Sequence, residues 1–198
     1  MDRKALERAA GHVAEAQRCM VSMKAATSLD ELERGWIGCL TATQRAFSKL
    51  DAGAKGKSSA WHGKVKKQRR EDPLLQYAHQ ARHAEEHGVE NVTAKADAQT
   101  FFRLPVVGKG GKLDRITMFD DGHVHVEVSG NPTSFTPPQF EFVAETVRLL
   151  PVVNCGQTYA PPVFHLGIPV EPTPLNVADA LVSYLTSKVE EAAKFVVD

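Results

Sequence analysis

The sequence has few cysteines, no excess of charge of either sign and no long apolar run, and each feature excludes a class of protein. Three cysteines among 198 residues, none in a Cys-x-x-Cys spacing, argue against a disulfide framework and a zinc knuckle. Lysine plus arginine equals aspartate plus glutamate at 24 each, so no overall field attracts nucleic acid or membrane. The charged N-terminus lacks a signal-peptide core, and no apolar run approaches about 18 residues, which predicts a cytoplasmic protein without a membrane partner.

Motifs for nucleotide-dependent and serine-hydrolase chemistry are also absent. The sequence contains no Gly-x-Ser-x-Gly, no Gly-x-Gly-x-x-Gly that opens a helix, and no Walker-type phosphate loop. No internal repeat is visible. A chain of this length forms one large domain or two small ones, with a substantial core.

The first part of the chain has helical patterns. Residues 2–24 repeat apolar side chains at three- and four-residue steps with charges between them, which predicts an amphipathic helix. Ser28 followed by Glu31 is a capping box that starts a second helix, reaching to about Leu50 and antiparallel to the first. A third helical segment starts near Ser58.

The functional interpretation centres on residues 72–88, DPLLQYAHQARHAEEHG. Asp72 is a good N-cap, Pro73 suits the first helical position and Gly88 suits the residue after the last turn, so a helix is bracketed at both ends. Its last turn and a half holds a dense set of ionisable groups, namely Arg82, His83, Glu85, Glu86 and His87.

After this helix, short stretches rich in β-branched and aromatic residues predict strands over 99–107, 112–119 and 123–128. Asp121-Gly122 is a strong signal for a type I′ hairpin turn. We interpret residues 140–153 as one long bent strand, with a short helix and a strand as the alternative.

The end of the chain contains one further clear element. Residues 154–174 have too many prolines and glycines for more than one short strand, whereas residues 176–197 carry an apolar stripe typical of a packed helix. The order of elements predicts an α+β fold with an antiparallel sheet. We expect a helical region over 1–90, a β-rich region over 91–173, and a C-terminal helix over 174–198 that packs with the helical region.

A cluster of cations precedes the histidine-rich helix. Between residues 52 and 70 the chain has no acid and seven cations, which are Lys55, Lys57, Lys64, Lys66, Lys67, Arg69 and Arg70. Clustered cations release counterions from a nucleic-acid backbone whatever its sequence, so this cluster is a candidate RNA-binding surface. A solvated helix face or a mobile loop is the structural alternative.

Residues 82–87 have the form Arg-x4-His with a polar residue directly after the arginine, and a two-helix hairpin precedes them. In these features residues 1–90 resemble HEPN-domain proteins, helical-bundle ribonucleases of toxin–antitoxin, phage-defence and RNA-processing systems. The resemblance implies that Arg82 contacts the scissile phosphate, that His87 acts in proton transfer and that His83 supports them.

The resemblance further implies a homodimer with facing motifs and a polar residue on an earlier helix, for which Glu31 and Glu33 are both open. Metal-free cleavage of RNA needs no cofactor. It uses a side chain with a pKa of ~6.5 to transfer protons, and a fixed cation to stabilise the charge on the phosphoryl oxygens. Attack by the ribose 2′-hydroxyl would leave a 2′,3′-cyclic phosphate. Residues five apart lie about 140° apart around a helix, so two copies of the motif must meet.

Two alternatives for the histidine-rich helix remain open. Arg82 and Glu86, four residues apart, could form an ordinary surface ion pair. His79, His83 and His87 lie on one stripe, from which an adjacent pair could bind zinc.

Other histidines and the β-rich region have alternatives of their own. His123, His125 and Glu127 alternate along one strand, which suits the solvent face of a hairpin or a metal pair, and His165 is typical of a structural hydrogen-bonder. The alternative function is a non-catalytic binding or assembly protein, in which the helices dimerise and the β-rich region docks a protein partner.

Overall fold

The computed structural model describes residues 1–56, 58–87, 91–143 and 145–196, apart from the side chains of residues 59, 87 and 143. The helices in this part of the chain are α1 (Arg3–Lys24), α2 (Leu29–Ala54), α3 (Ser59–Glu71), α4 (Pro73–His87) and, after the strands, α5 (Pro174–Ala193). The strands are β1 (Thr93–Ala96), β2 (Gln99–Arg103), β3 (Val106–Val107), β4 (Gly111–Met118), β5 (Val124–Gly130), β6 (Phe135–Thr136), β7 (Gln139–Val143), β8 (Thr146–Leu149), β9 (Val152–Asn154), β10 (Gln157–Tyr159), β11 (Phe164–His165) and β12 (Ile168–Pro169). The predicted α+β class is confirmed.

Helices α1 and α2 form an antiparallel hairpin, on which α5 packs as predicted. The start of α1 is tied to the end of α2, because the amide of Asp2 donates to the carbonyl of Gly53 at 2.9 Å. A side chain at Gly53 would collide with Ala5, so glycine allows this close approach. The core consists of side chains that are fully buried between the helices, among them Trp36, Leu40, Leu50, Leu181 and Leu185.

Side-chain caps start α2 and α4 where the sequence predicts them. Ser28 accepts from the amide of Glu31 at 3.3 Å, while the Glu31 carboxylate accepts from the amide of Thr27 at 2.8 Å. In a standard capping box the glutamate accepts from the amide of the N-cap residue, whereas Glu31 accepts from the amide of Thr27, one residue before the N-cap. The first bond satisfies an amide in the first turn of α2, and the second ties the residue before the N-cap to that turn.

The chain forms two compact units, one of residues 1–96 and 147–198 and one of residues 97–146. The first unit holds the helices together with β1 and β9–β12, and β1 pairs with β8. In the second unit, β2 pairs with β7, β3 with β6 and β4 with β5, each antiparallel.

The predicted type I′ turn at Asp121-Gly122 is wrong. Gly122 has a positive φ of 81°, but Asp121 does not, whereas a type I′ turn requires both. The amide of Phe119 donates to His123 at 2.9 Å, which closes a three-residue loop between β4 and β5. In a three-residue loop only one residue needs the left-handed conformation. Here that residue is Gly122, so Asp121 can keep a negative φ.

Residues 140–153 are strand rather than helix in their described part, as we preferred, but the single long strand is wrong. Pro151, which lacks an amide donor, lies between β8 and β9 and interrupts the run.

The expectation of one short strand over residues 154–174 is also wrong. Two tight hairpins, β9–β10 and β11–β12, lie there, and each has a two-residue loop with two positive φ angles. The loops are Cys155-Gly156 (50° and 78°) and Leu166-Gly167 (48° and 82°). These are type I′ geometries, in which cysteine and leucine are unusual at the first position, so the sequence did not indicate them.

We expect the Cys155→Asn variant to be more stable than the wild type by about 0.5–1 kcal/mol, because asparagine tolerates the left-handed conformation that cysteine adopts here. Urea denaturation monitored by circular dichroism measures the difference. The control is Cys155→Val, whose β-branched side chain should lower the free energy of unfolding. A Cys155→Asn variant no more stable than Cys155→Val would contradict the expected strain.

Candidate functional site

A groove lies between α3 and α4, where each helix presents polar residues at i, i+3 and i+4 spacing on one side. Helix α3 contributes Lys66, Arg69 and Arg70, helix α4 contributes Gln76, His79 and Gln80, and hairpin β9–β10 contributes Gln157 and Tyr159. Two adjoining cavities of about 210 and 340 Å³ make up this α3–α4 groove, and both are lined by Arg69, Arg70 and His79.

The junction of α3 and α4 is organised by Asp72, which is buried. Its carboxylate accepts from the amide of Leu75 at 3.0 Å, which is the predicted N-cap of α4. It also accepts from the amide of Leu166 at 2.6 Å and bonds His165 Nδ1 at 2.9 Å. The carboxylate therefore fixes the start of α4 and holds hairpin β11–β12 against it, and His165 has the structural role that its sequence context indicates.

Arg69 is held in place by two side chains of α2, and His62 of α3 contacts one of them. Its Nη1 donates to Asp51 Oδ2 at 2.8 Å, and its guanidinium lies 4.3 Å from the ring centroid of Phe47. Asp51 Oδ1 is in turn 2.8 Å from His62 Nε2. Arg69 is therefore a preorganised and mostly buried cation at the edge of the groove.

The remaining cations of the predicted RNA-binding cluster differ in position. Lys66 and Arg70 are exposed and line the groove. Lys67 is 4.0 Å from Glu71, and Lys55 and Lys64 are exposed but are not among the residues that line these cavities. Lys57 lies outside the described residues. Three of the six predicted cations that the structure describes thus converge on one groove.

His79 is the groove residue that sequence reasoning missed, having been considered only as part of a zinc stripe. Its Nδ1 lies 3.4 Å from Gln44 Oε1. The pKa of His79 is lowered, chiefly because neighbouring groups remove part of its hydration and secondly because Arg69, His83 and Arg82 place positive charge nearby. The imidazole is therefore neutral at pH 7. The sequence signal that could have placed His79 in the groove is its three-residue spacing from Gln76, which puts both residues on one side of α4.

Arg82 forms the ion pair that the structural alternative predicts. Both of its Nη atoms donate to the carboxylate of Glu86, one turn further along α4. Arg82 Nε is buried and has no hydrogen-bond partner in the described part of the chain. His83 is exposed. The side chain of His87, like Gly88, lies outside the described residues.

The two glutamates considered for a supporting role on an earlier helix both have structural partners. Glu31 accepts from the amide and the hydroxyl of Thr27. Glu33 accepts from the hydroxyl of Thr93 in β1. The Glu31 carboxylate thus stabilises the start of α2, and the Glu33 carboxylate holds β1 against this helix.

Metal ligands do not cluster in the parts of the chain that the structure describes, where no three His, Cys, Asp or Glu residues are grouped to hold an ion. His123, His125 and Glu127 lie on the exposed side of the β4–β5 hairpin, opposite half-buried valines. This arrangement fits the first of the two alternatives for these residues, the solvent face of a hairpin. Across the described ranges, no helix combines the length and the apolar character needed to cross a membrane.

The fold and the groove define the chain as an α+β protein with a cationic cleft on its helical unit. Comparison with protein-family models, with curated proteins and with solved structures finds no match. Its function is therefore inferred from the chemistry of the groove.

Proposed function

We propose that the α3–α4 groove binds the phosphates of single-stranded RNA and that α4 carries metal-independent RNA cleavage of the HEPN type, in the cytoplasm and without a cofactor. One observation supports this proposal above the others. The cation cluster of α3 and the histidine-rich helix α4, which are separate features of the sequence, line the same groove through Arg69, Arg70 and His79.

Binding draws on two kinds of cation. Arg69 is fixed by Asp51 and Phe47, so little side-chain entropy is lost when it contacts a phosphate. Lys66 and Arg70 are exposed and release counterions on binding. The phenol ring of Tyr159 in the adjoining cavity offers a surface on which an unpaired base stacks, which favours a single strand.

Cleavage follows from an attack of the ribose 2′-oxygen on phosphorus. The O2′–P bond forms and the P–O5′ bond breaks, while a base takes the 2′-hydroxyl proton and an acid protonates the leaving 5′-oxygen. We assign the base to His79, whose lowered pKa keeps it neutral at pH 7. The resemblance to HEPN proteins assigns proton transfer to His87, here the acid, with His83 in support.

Arg82 supplies the cation for the phosphoryl oxygens in this proposal. Its guanidinium is paired with Glu86, and a phosphate presents the same pair of acceptor oxygens as a carboxylate. Phosphate therefore replaces Glu86 when RNA binds. Since positions five apart, such as 82 and 87, lie about 140° apart around an ideal helix, a second copy of the chain completes the site in this proposal.

A non-catalytic assembly protein is the second candidate, and the unit of residues 97–146 favours it. This unit exposes large apolar side chains, which are Phe101, Leu104, Val106, Met118, Phe119, Phe135, Phe140 and Phe142. Exposed apolar surface of this extent is typical of a protein interface. Wild-type protein that binds RNA weakly and does not cleave it would favour this candidate.

We expect Arg70→Glu to weaken binding of single-stranded RNA by about 10-fold and to reduce the salt dependence of the affinity, because a phosphate contact is replaced by repulsion. Fluorescence anisotropy at several salt concentrations measures both effects. Lys112→Glu is the matched control, since it makes the same charge change at an exposed lysine of the other unit. An equal loss in both variants would exclude the groove as the binding surface.

A further inference from the structure

One face of hairpin β9–β10 lines the larger of the two groove cavities. Side chains alternate along a strand, so Gln157 and Tyr159 lie on one face, and the register places Asn154 opposite Gln157 on that face. Both strands contact α4, from which Gln76 and Gln80 line the same cavity of about 340 Å³. Three glutamines and one tyrosine are thus among the residues that line this cavity.

Two of these glutamines have their oxygen ends occupied. Tyr159 Oη donates to Gln157 Oε1 at 3.0 Å. Asn154 Nδ2 donates to Gln80 Oε1 at 2.7 Å, and the Cys155 thiol, which donates to Asn154 Oδ1 at 3.4 Å, keeps the Asn154 nitrogen turned toward that oxygen. Among the residues that the structure describes, the Nε2 groups of Gln80 and Gln157 have no partner. Each free end therefore presents N–H donors only.

Gln76 is oriented the other way. Its Nε2 donates to the carbonyl of Arg70, so its Oε1 is the end that remains as an acceptor. The three amides that line the cavity thus offer two donor ends and one acceptor end. A ligand that pairs with all three has two acceptors and one donor.

Uracil is the nucleobase that carries this set. Along its pairing edge the N3–H donor lies between the O2 and O4 acceptors. Cytosine has an amino group in place of O4 and no hydrogen on N3, so a donor of the cavity would meet a donor of the base. Adenine has no carbonyl, and guanine has one carbonyl beside two donors, which needs two acceptor ends. The amides of the cavity therefore match uracil better than the other three bases.

We propose that this cavity is a uracil-specific pocket. The Nε2 groups of Gln80 and Gln157 donate to the two uracil carbonyls, and Gln76 Oε1 accepts from N3–H. The ring of Tyr159 stacks on the base. His79, the proposed proton acceptor, lines the same cavity, so cleavage follows on the 3′ side of the bound uridine. Because the pocket adjoins the proposed cleavage site, this specificity rests on the proposed function.

Isothermal titration calorimetry of the full chain with the four nucleoside 3′-monophosphates tests the pocket without cleavage. We expect the uridine compound to bind at least ~10-fold more tightly than the cytidine, adenosine and guanosine compounds, because only uracil pairs with all three amides. The riboses and phosphates are identical, so the ratio of affinities reports on the base alone. If all four bind within about threefold of one another, or if none binds at about 10 mM, the uracil pocket is excluded.

Gln80→Glu and Gln157→Glu test which groups read the base. Each carboxylate keeps an oxygen for the present partner and replaces the free donors by an acceptor. Both variants should bind uridine 3′-monophosphate at least ~10-fold more weakly, and the one that meets O4 should prefer cytidine, whose amino group donates there. Gln17→Glu, which adds the same charge at an exposed position of α1, should leave the uridine-to-cytidine ratio unchanged. A ratio that is also unchanged in both pocket variants would overturn the proposal.

Labelled single strands with one uridine among cytidines or adenosines separate this specificity from the proposed function. The wild type should cut on the 3′ side of the uridine, leave uridine 2′,3′-cyclic phosphate, and follow the uridine when it is moved along the strand. Cleavage without base preference would overturn the uracil pocket alone. Uridine-selective binding without cleavage would fail the proposed cleavage alone and would leave the pocket as a site for free uridine nucleotides.

Discussion

The Arg82→Ala variant is expected to lose RNA cleavage in EDTA by at least a hundredfold while its circular dichroism is unchanged. The reason is that a fixed cation on the phosphoryl oxygens contributes about 10²–10³ in rate, whereas the ion pair with Glu86 that is also lost contributes only a few tenths of a kcal/mol to folding. Cleavage of a labelled single strand measures the rate, and the product should carry a 2′,3′-cyclic phosphate.

Three further variants test the separate roles of the proposed acid, the cation and the carboxylate paired with it. His87→Ala should abolish cleavage like Arg82→Ala, because it removes the proposed acid. Arg82→Lys should recover only part of the activity, since a lysine lacks the two-pronged donor geometry. Glu86→Gln should raise rather than lower cleavage, because it removes the carboxylate with which the phosphate competes.

The pH dependence should follow from His79. Because its pKa is lowered, the neutral base persists as the pH falls, and the acidic limb of the pH–rate profile should have its midpoint below 6.5. His79→Ala should remove that limb together with most of the rate. Cleavage that survives both Arg82→Ala and His87→Ala would exclude this site, and activity abolished by EDTA would indicate a metal enzyme.

The Asp72→Ala variant is expected to lose about 3 kcal/mol of the free energy of unfolding. Its carboxylate is buried and accepts from the amides of Leu75 and Leu166 and bonds His165, so its removal leaves several polar groups without a partner. Urea denaturation at pH 7 measures the loss. Hairpin β11–β12 should detach first, because Asp72 is its bond to the start of α4.

The matched control is Asp2→Ala, which removes another aspartate N-cap. Asp2 is exposed and accepts from the amide of Ala5 at 2.8 Å, so its loss should cost about 1 kcal/mol. Asp72→Asn should be intermediate, since the amide keeps one acceptor oxygen. If Asp72→Ala costs no more than Asp2→Ala, the bonds to Leu166 and His165 contribute nothing to stability.

The helical half of the fold could be predicted closely from sequence. The periodicity of residues 2–24, the capping box at Ser28 and the Asp72-Pro73 start each depend on neighbours within one or two turns, and each prediction agrees with the structure. The β-rich part agreed less well, because strand ends and turns depend on which strands pair. Two residue pairs show this. Asp121-Gly122 has the sequence of a type I′ turn but does not form one, whereas Cys155-Gly156 lacks that sequence and does form one.

The sequence by itself determined the class of fold, the positions of the helices to within a few residues at their ends, and the presence of seven cations and a histidine-rich helix. Only the tertiary structure decided that Lys66, Arg69 and Arg70 share a groove with His79, and that Asp51 and Phe47 of α2 hold Arg69 at its edge. The physical reason is one of range. Helix formation and capping are decided by bonds between near neighbours, whereas the hydration, charge and partners of a side chain depend on elements that the chain brings beside it from elsewhere.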